Sequence, residues 1–172
     1  MLKILEISDF DQMYRLMKAS FPQDEYRPYA AQKALLADSA YRIYAHYDKD
    51  HSLLAFLAVW DFDGFVFIEH FAVKEECRNS GLGSRLLQKL AVLLNKPLCL
   101  EAERPNTELA QRRIDFYQRN GFCRNPYPYQ QPALAADQNP VPLCIMTFPA
   151  PITQQEFLGL RNTLYQNVYK VL

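Results

Sequence analysis

The chain has 172 residues, 49% of them hydrophobic and 22% charged, and its 19 basic and 19 acidic side chains give a formal net charge of zero. This is ordinary globular composition, and a chain of this length buries about 70% of its unfolded surface, so it needs no metal or disulfide staple. The balanced charge argues against a nucleic-acid partner, which selects a basic face, and no apolar run approaches the roughly 20 residues that span a bilayer, which argues against a membrane partner.

Residues 2–7 read as a short strand, followed by polar Ser8-Asp9 rather than the apolar stretch of a secretion signal. Ser8 or Asp9 caps a helix whose apolar residues Phe10, Met13, Tyr14 and Met17 recur at i, i+3, i+4 and i+7, and Pro22 ends it. A second helix starts near Pro28 and runs through Leu35 and Leu36. Three β-rich runs follow, at 41–47, 53–60 and 65–73. The gaps Asp48-Lys49-Asp50 and Asp61-Phe62-Asp63-Gly64 carry turn chemistry, which predicts an antiparallel meander. After Gly83 the period changes: Leu86, Leu87, Leu90 and Leu94 fall at helical spacing until Pro97. Residues 98–103 read as a strand. Asn106 or Thr107 then caps a helix that ends at Asn120-Gly121, with glycine beyond the cap. Strand resumes at 122–124. A stretch with Pro126, Pro128, Pro132, Pro140 and Pro142 leads to a last strand at 143–148. Thr153-Gln154-Gln155-Glu156 is a capping box, Ile152 is placed to staple onto Phe157, and the helix behind it is expected to bury Phe157, Leu160, Leu164 and Val168. The order β-α-α-β-β-β-α-β-α-β-β-α is mixed α/β.

Between the strand at 65–73 and the helix after Gly83 lies Arg78-Asn79-Ser80-Gly81-Leu82-Gly83-Ser84. A helix start presents free N–H groups and the positive end of its dipole, where phosphate binds readily. Glycine permits positive φ and close backbone approach, and Arg78 can add charge-assisted hydrogen bonds. The segment therefore predicts an anion cradle suited to a pyrophosphate. A lone G-x-G is also compatible with a plain turn. A dinucleotide-binding loop would have a third glycine where Leu86 stands and would follow the strand directly, although Glu101 lies at a suitable distance for its acid. A Walker A loop would end Gly-Lys-Ser/Thr, whereas this one ends Gly83-Ser84-Arg85.

Phe71-Ala72-Val73, a short charged spacer, Arg78-x-x-Gly81-x-Gly83-Ser84 and Leu86-Leu87 resemble the central motif of the GNAT superfamily of N-acetyltransferases, (Arg/Gln)-x-x-Gly-x-(Gly/Ala) between the fourth strand and third helix. Phe116-Tyr117-Gln118-Arg119-Asn120-Gly121-Phe122 resembles the family's later Tyr-x-x-x-Gly-Phe segment, and the element order agrees across roughly 1–148. The resemblance implies a GNAT-like fold: a central, mostly antiparallel sheet splayed between its fourth and fifth strands and flanked by helices. The acetyltransferase domain would span 1–150, with a C-terminal helix at 151–172 packed on the domain or at a homodimer interface.

The resemblance also implies acetyl-CoA as cosubstrate and no metal. The backbone of Phe71, Ala72 and Val73 would pair with the pantetheine arm. The amides of Asn79, Ser80, Gly81, Leu82, Gly83 and Ser84, with Arg78, would hold the pyrophosphate, and a backbone N–H near Val73 would polarise the thioester carbonyl. An amine would attack directly, after losing a proton to a base. Period-2 alternation puts Glu69, Phe71 and Val73 on one strand face, which makes Glu69 the first candidate base, while His70 points the other way. Glu101 and Glu103 share a face of the next strand, and either is a candidate second base or ammonium anchor; the alternative for each carboxylate is a solvated or salt-bridged side chain. Tyr117 matches the family's general acid, the donor to the leaving thiolate. Ala110 stands where many members have asparagine, so Arg113 is a candidate cofactor contact and Asn106 a helix cap. Tyr26, Arg27 and Tyr29 would line the acceptor side, and the proline-rich stretch with Tyr127 and Tyr129 would form a wall, a lid or simply a stiff loop. The acceptor is expected to be a small-molecule or peptide amine. The four cysteines are scattered, with no C-x-x-C spacing, which suits a reducing compartment and a cytoplasmic location. A competing reading is a non-catalytic acyl-CoA-binding module.

Overall fold

The computed structural model describes residues 1–171. The chain divides into two compact units at Lys96/Pro97.

In the first unit a short strand, β1 (Lys3–Ile4), leads through a single 3-10 turn into helix α1 (Phe10–Ser20). Strand 1 is shorter than the apolar run suggests, because the 3-10 turn Ile7–Asp9 takes up its end. Asp9 is the residue before the helix, but its carboxylate accepts from the Tyr47 hydroxyl (2.7 Å) rather than from the helix backbone. Helix α2 (Tyr29–Ala34) tightens into a 3-10 turn at Leu35–Ala37. The predicted meander follows as β2 (Tyr41–Tyr47), β3 (Leu53–Asp61) and β4 (Val66–Val73), each pair antiparallel, with β1 on the outer edge of β2. The β2–β3 turn is tied by Asp48 Oδ1, which accepts from the amides of Asp50 and Ser52, both at 2.9 Å. Phe10, Met13 and Met17 of α1 are fully buried, and the helix packs on β3 and β4. Helix α3 (Leu82–Leu94) buries Leu86, Leu87 and Leu90 of the predicted stripe and also Leu82, while Leu94 is only half-buried, and it stops at Asn95 in the left-handed conformation.

The second unit begins with β5 (Leu98–Glu103) and helix α4 (Glu108–Arg119). Thr107, rather than Asn106, caps α4, its Oγ1 accepting from the Ala110 amide at 3.1 Å. The chain leaves α4 through Gly121, whose φ is +86° and where a side chain would meet the Phe148 ring at 3.1 Å. Short β6 (Cys123–Arg124) and β7 (Tyr129–Gln131) and long β8 (Val141–Phe148) follow. Strand β8 pairs antiparallel with β5, β6 and β7. The proline-rich stretch thus contains a strand bounded by Pro128 and Pro132, an arrangement that propensity alone argues against. Buried Asn125 fastens this region: its Nδ2 donates to Thr147 Oγ1 (3.0 Å) and its Oδ1 accepts from the Ile152 amide (3.0 Å).

Helix α5 (Gln154–Asn167) starts with the predicted capping box: Thr153 Oγ1 accepts from the Glu156 amide and Glu156 Oε2 accepts from the Thr153 amide. It buries Phe157, Leu160 and Leu164, with Val168 buried just beyond it, and Phe157 lies against the rings of Tyr127 and Tyr129. The helix predicted to reach the end of the chain stops at Asn167, and Leu172 lies outside the described residues. Thr153→Ala removes one half of the box and is expected to cost about 1 kcal/mol, a fall in Tm of about 2–4 °C that differential scanning calorimetry would register.

Candidate active site

Strand β4 is not a regular ladder. Ala58 of β3 pairs with His70 and Val59 pairs with Ile68, so Glu69 is an extra residue, a β-bulge. The simple alternation expected for Glu69, Phe71 and Val73 breaks there. Both Glu69 and His70 turn toward the face that carries Trp60, and their side chains approach to 3.9 Å. Past the bulge, Lys74 N–H donates to Leu54 O of β3 at 2.8 Å. Amides alternate sides along a strand, so those of Phe71 and Val73 turn away from β3. Val73 O accepts from Arg78 Nε at 3.0 Å, which folds the loop back onto the end of β4.

Of the loop's two glycines Gly81 takes the positive φ, while Gly83 already lies inside α3. Asn79 (φ +59°) and Gly81 (φ +76°) are left-handed, and Gly81 stands immediately before the first residue of α3. Residues 78–81 are exposed. Ser80 Oγ donates to Cys77 O at 2.7 Å and Arg85 Nη1 to Ser80 O at 3.2 Å, which fixes the turn from both ends. Amides at the start of α3 have no carbonyl one turn earlier in the helix to bond. Successive N–H groups in turns of mixed handedness form an anion-binding concavity.

The expected base, Glu69, has a fully committed side chain. It is 3% exposed; Oε1 accepts from Arg27 Nη1 at 2.6 Å and Oε2 from Trp60 Nε1 at 3.0 Å. Burial alone would raise its carboxyl, but the Arg27 charge and these hydrogen bonds outweigh it, and the net shift is downward. Glu69 is therefore held ionised by partners that also weaken it as a proton acceptor. His70 Nε2 donates to Glu25 O at 2.7 Å, while Nδ1 has no hydrogen-bond partner among the described residues. Burial pushes its proton affinity down, which keeps the ring neutral. Arg27, expected on the acceptor side, is instead 6% exposed and spent on this pair.

On β5 the two carboxylates separate. Glu103 pairs with Arg113 of α4 at 2.6 Å, so the arginine considered for the cofactor has a protein partner. Half-buried Glu101 accepts from the hydroxyls of Tyr129 and Tyr169. Tyr117 stands on α4 with its ring between those of Phe116 and Phe122, part of the residue remaining accessible. Burial, opposed by Arg113, pushes its phenol up to about 12, so it stays protonated at neutral pH. Among the described residues no three His, Cys, Asp or Glu side chains gather as a metal site, the four cysteines are unpaired, and no helix is long and apolar enough to cross a membrane.

An exposed left-handed turn at a helix start, folded back onto the end of β4, is the arrangement suited to gripping a pyrophosphate-bearing carrier through the main chain. Residues 10–122 match the family model described as the acetyltransferase (GNAT) family, more than half of the chain, and the protein belongs to that family as an acyl-CoA-dependent acetyltransferase. A Bacillus subtilis strain 168 protein provisionally named acetyltransferase YjbC is 28% identical over 159 residues, 91% of this chain and 80% of the relative. A solved GNAT-family structure from Bacteroides thetaiotaomicron, also provisionally named an acetyltransferase, is 33% identical with a TM-score of 0.91, covering 100% of this chain and 99% of the other. The fold is shared as well by an aminoglycoside 6'-N-acetyltransferase complexed with coenzyme A, 14% identical, TM-score 0.64, covering 90% and 99%.

Proposed function

We propose that the enzyme transfers the acetyl group of acetyl-CoA to a primary amine by direct attack, without a covalent enzyme intermediate. The observation that carries this reading is the left-handed Gly81 at the start of α3, in a loop whose residues 78–81 are exposed. The main chain at Phe71, Ala72 and Val73 pairs with the pantetheine arm. Arg78 and the amides of Asn79, Ser80, Gly81, Leu82, Gly83 and Ser84 hold the pyrophosphate. Bound acetyl-CoA supplies the activated thioester. The amine nitrogen bonds to the acetyl carbon, the C–S bond breaks, and the oxyanion between these events is stabilised by an amide near Val73. The proton shed by the amine goes to water rather than to Glu69, whose oxygens serve Arg27 and Trp60. Glu101 is the carboxylate assigned to the acceptor's charge. Tyr117 protonates the departing thiolate.

A phenol at about 12 holds its proton more tightly than an ordinary phenol, so its contribution falls at the lower end of general-acid catalysis. Tyr117→Phe is expected to lower kcat by about 10- to 100-fold with the KM for acetyl-CoA unchanged; parallel loss of cofactor affinity would remove it as the acid. The function is tested by following release of the coenzyme A thiol over polyamines, amino acids, aminoglycosides and peptide N-termini. Acetyl-CoA binding without thiol release from any of them would make the chain a binding module.

A further inference from the structure

We propose that the segment following α5 belongs to the acceptor site: Tyr169, together with Tyr129, positions Glu101 as the carboxylate that seats the acceptor's ammonium group. This rests on the N-acetyltransferase reading. Tyr169 Oη lies 2.7 Å from both Glu101 oxygens, and Tyr129 Oη donates to Oε1. Neither tyrosine lies within the residues that match the family model. Tyr129 comes from β7 inside the proline-rich stretch and Tyr169 from just beyond α5.

The clamp is rigid. The Tyr129 and Tyr169 rings are 3% and 8% exposed. Tyr165 stands against both, with ring centroids 6.0 Å from Tyr129 and 6.4 Å from Tyr169, and its hydroxyl donates to Gln130 O at 2.5 Å. A carboxylate that receives phenolic protons is fixed in rotation. Burial first, and Glu101 second, push the Tyr129 phenol far up, so it remains a donor. A fixed negative charge bordered by aromatic rings is the setting that attracts an alkylammonium. Glu103, the other carboxylate of β5, pairs with Arg113 at 2.6 Å.

The test uses the full chain with spermidine as cationic acceptor and p-anisidine, uncharged at neutral pH, as control. Glu101→Gln is expected to raise the KM for spermidine by roughly tenfold or more, and by a clearly larger factor than the KM for p-anisidine. Tyr169→Phe is expected to raise the spermidine KM by about three- to tenfold and to add nothing further in the Glu101→Gln background, since the two changes break one interaction. A tyrosine that only supports the fold would lower Tm and affect both acceptors alike, additively with Glu101→Gln, and that result overturns the inference. Spermidine turnover indifferent to both substitutions also overturns it and leaves the acetyltransferase reading intact. Failure of both acceptors and of every other amine, with acetyl-CoA still bound, overturns the two together.

Discussion

Gly81→Val is expected to abolish acetyl-CoA binding, raising Kd by at least 100-fold in calorimetry, while the protein stays folded. At φ +76° a β-branched residue is strained by about 1–2 kcal/mol or more. Space is not the obstacle: an added Cβ meets only the flexible tip of Arg85, at 3.3 Å. The backbone instead relaxes toward negative φ, and the amides on either side swing out of the cradle. Gly81→Asn separates shape from size, because asparagine tolerates the left-handed region, and it is expected to keep affinity within about tenfold. Wild-type affinity in the valine variant would defeat the cradle. Loss of affinity with loss of the folded state would show the turn to be structural.

The largest stability effect is expected at Glu69. Glu69→Ala leaves Arg27 charged, 6% exposed and stripped of its carboxylate, and leaves Trp60 Nε1 without its acceptor. Breaking a buried pair from one side costs about 3–5 kcal/mol, which corresponds to a fall in Tm of about 6–20 °C at this chain length. The double variant Arg27→Met/Glu69→Leu is expected to recover most of the loss, since a buried pair replaced by apolar groups is often neutral; no recovery would mean that the pair is not the source. The pH dependence has the same origin. His70 and Glu69 both bind protons less readily folded than unfolded, so the unfolded chain gains protons as pH falls and stability drops. The loss begins below the ordinary histidine value of about 6.5 and deepens through the carboxylate range. Glu69→Gln is expected to flatten the lower part of that curve in urea titrations, and an unchanged acid limb would remove Glu69 from it.

The parts of this molecule legible in its sequence are those whose cause is local. The runs at 41–47 and 98–103 match β2 and β5 residue for residue, because alternating or continuous apolar runs between turn residues leave little choice of ends. The Thr153–Glu156 box and the Leu86, Leu87 and Leu90 stripe are fixed by spacings of one turn. The loop was readable because glycine at 81 answers a backbone requirement. What escaped the reading has its partner far along the chain. The bulge at Glu69 is one inserted residue, visible only against the β3 register, and it overrides the alternation that aimed Glu69 with Phe71. Arg27 finds Glu69 from 42 residues away and Tyr169 finds Glu101 from 68. Strand β7 was masked by prolines that delimit it rather than prevent it. Two signals were available in principle. A glutamate within a strand otherwise buried invites a search for its cation, and eleven tyrosines exceed what a core of this size uses without polar partners for their hydroxyls.

The proposed grip, built from peptide groups at Asn79 to Gly81 and the first turn of α3, depends little on which side chains stand there. Every amino acid except proline carries the same hydrogen there, and the exposed side chains of Asn79 and Ser80 project without being asked to recognise anything. Variation there is bounded by the turn itself, since Asn79 is left-handed at φ +59° and Ser80 Oγ ties the loop to Cys77 O. The property they must transmit is handedness, stored in Asn79 and in Gly81, which contributes no side chain at all.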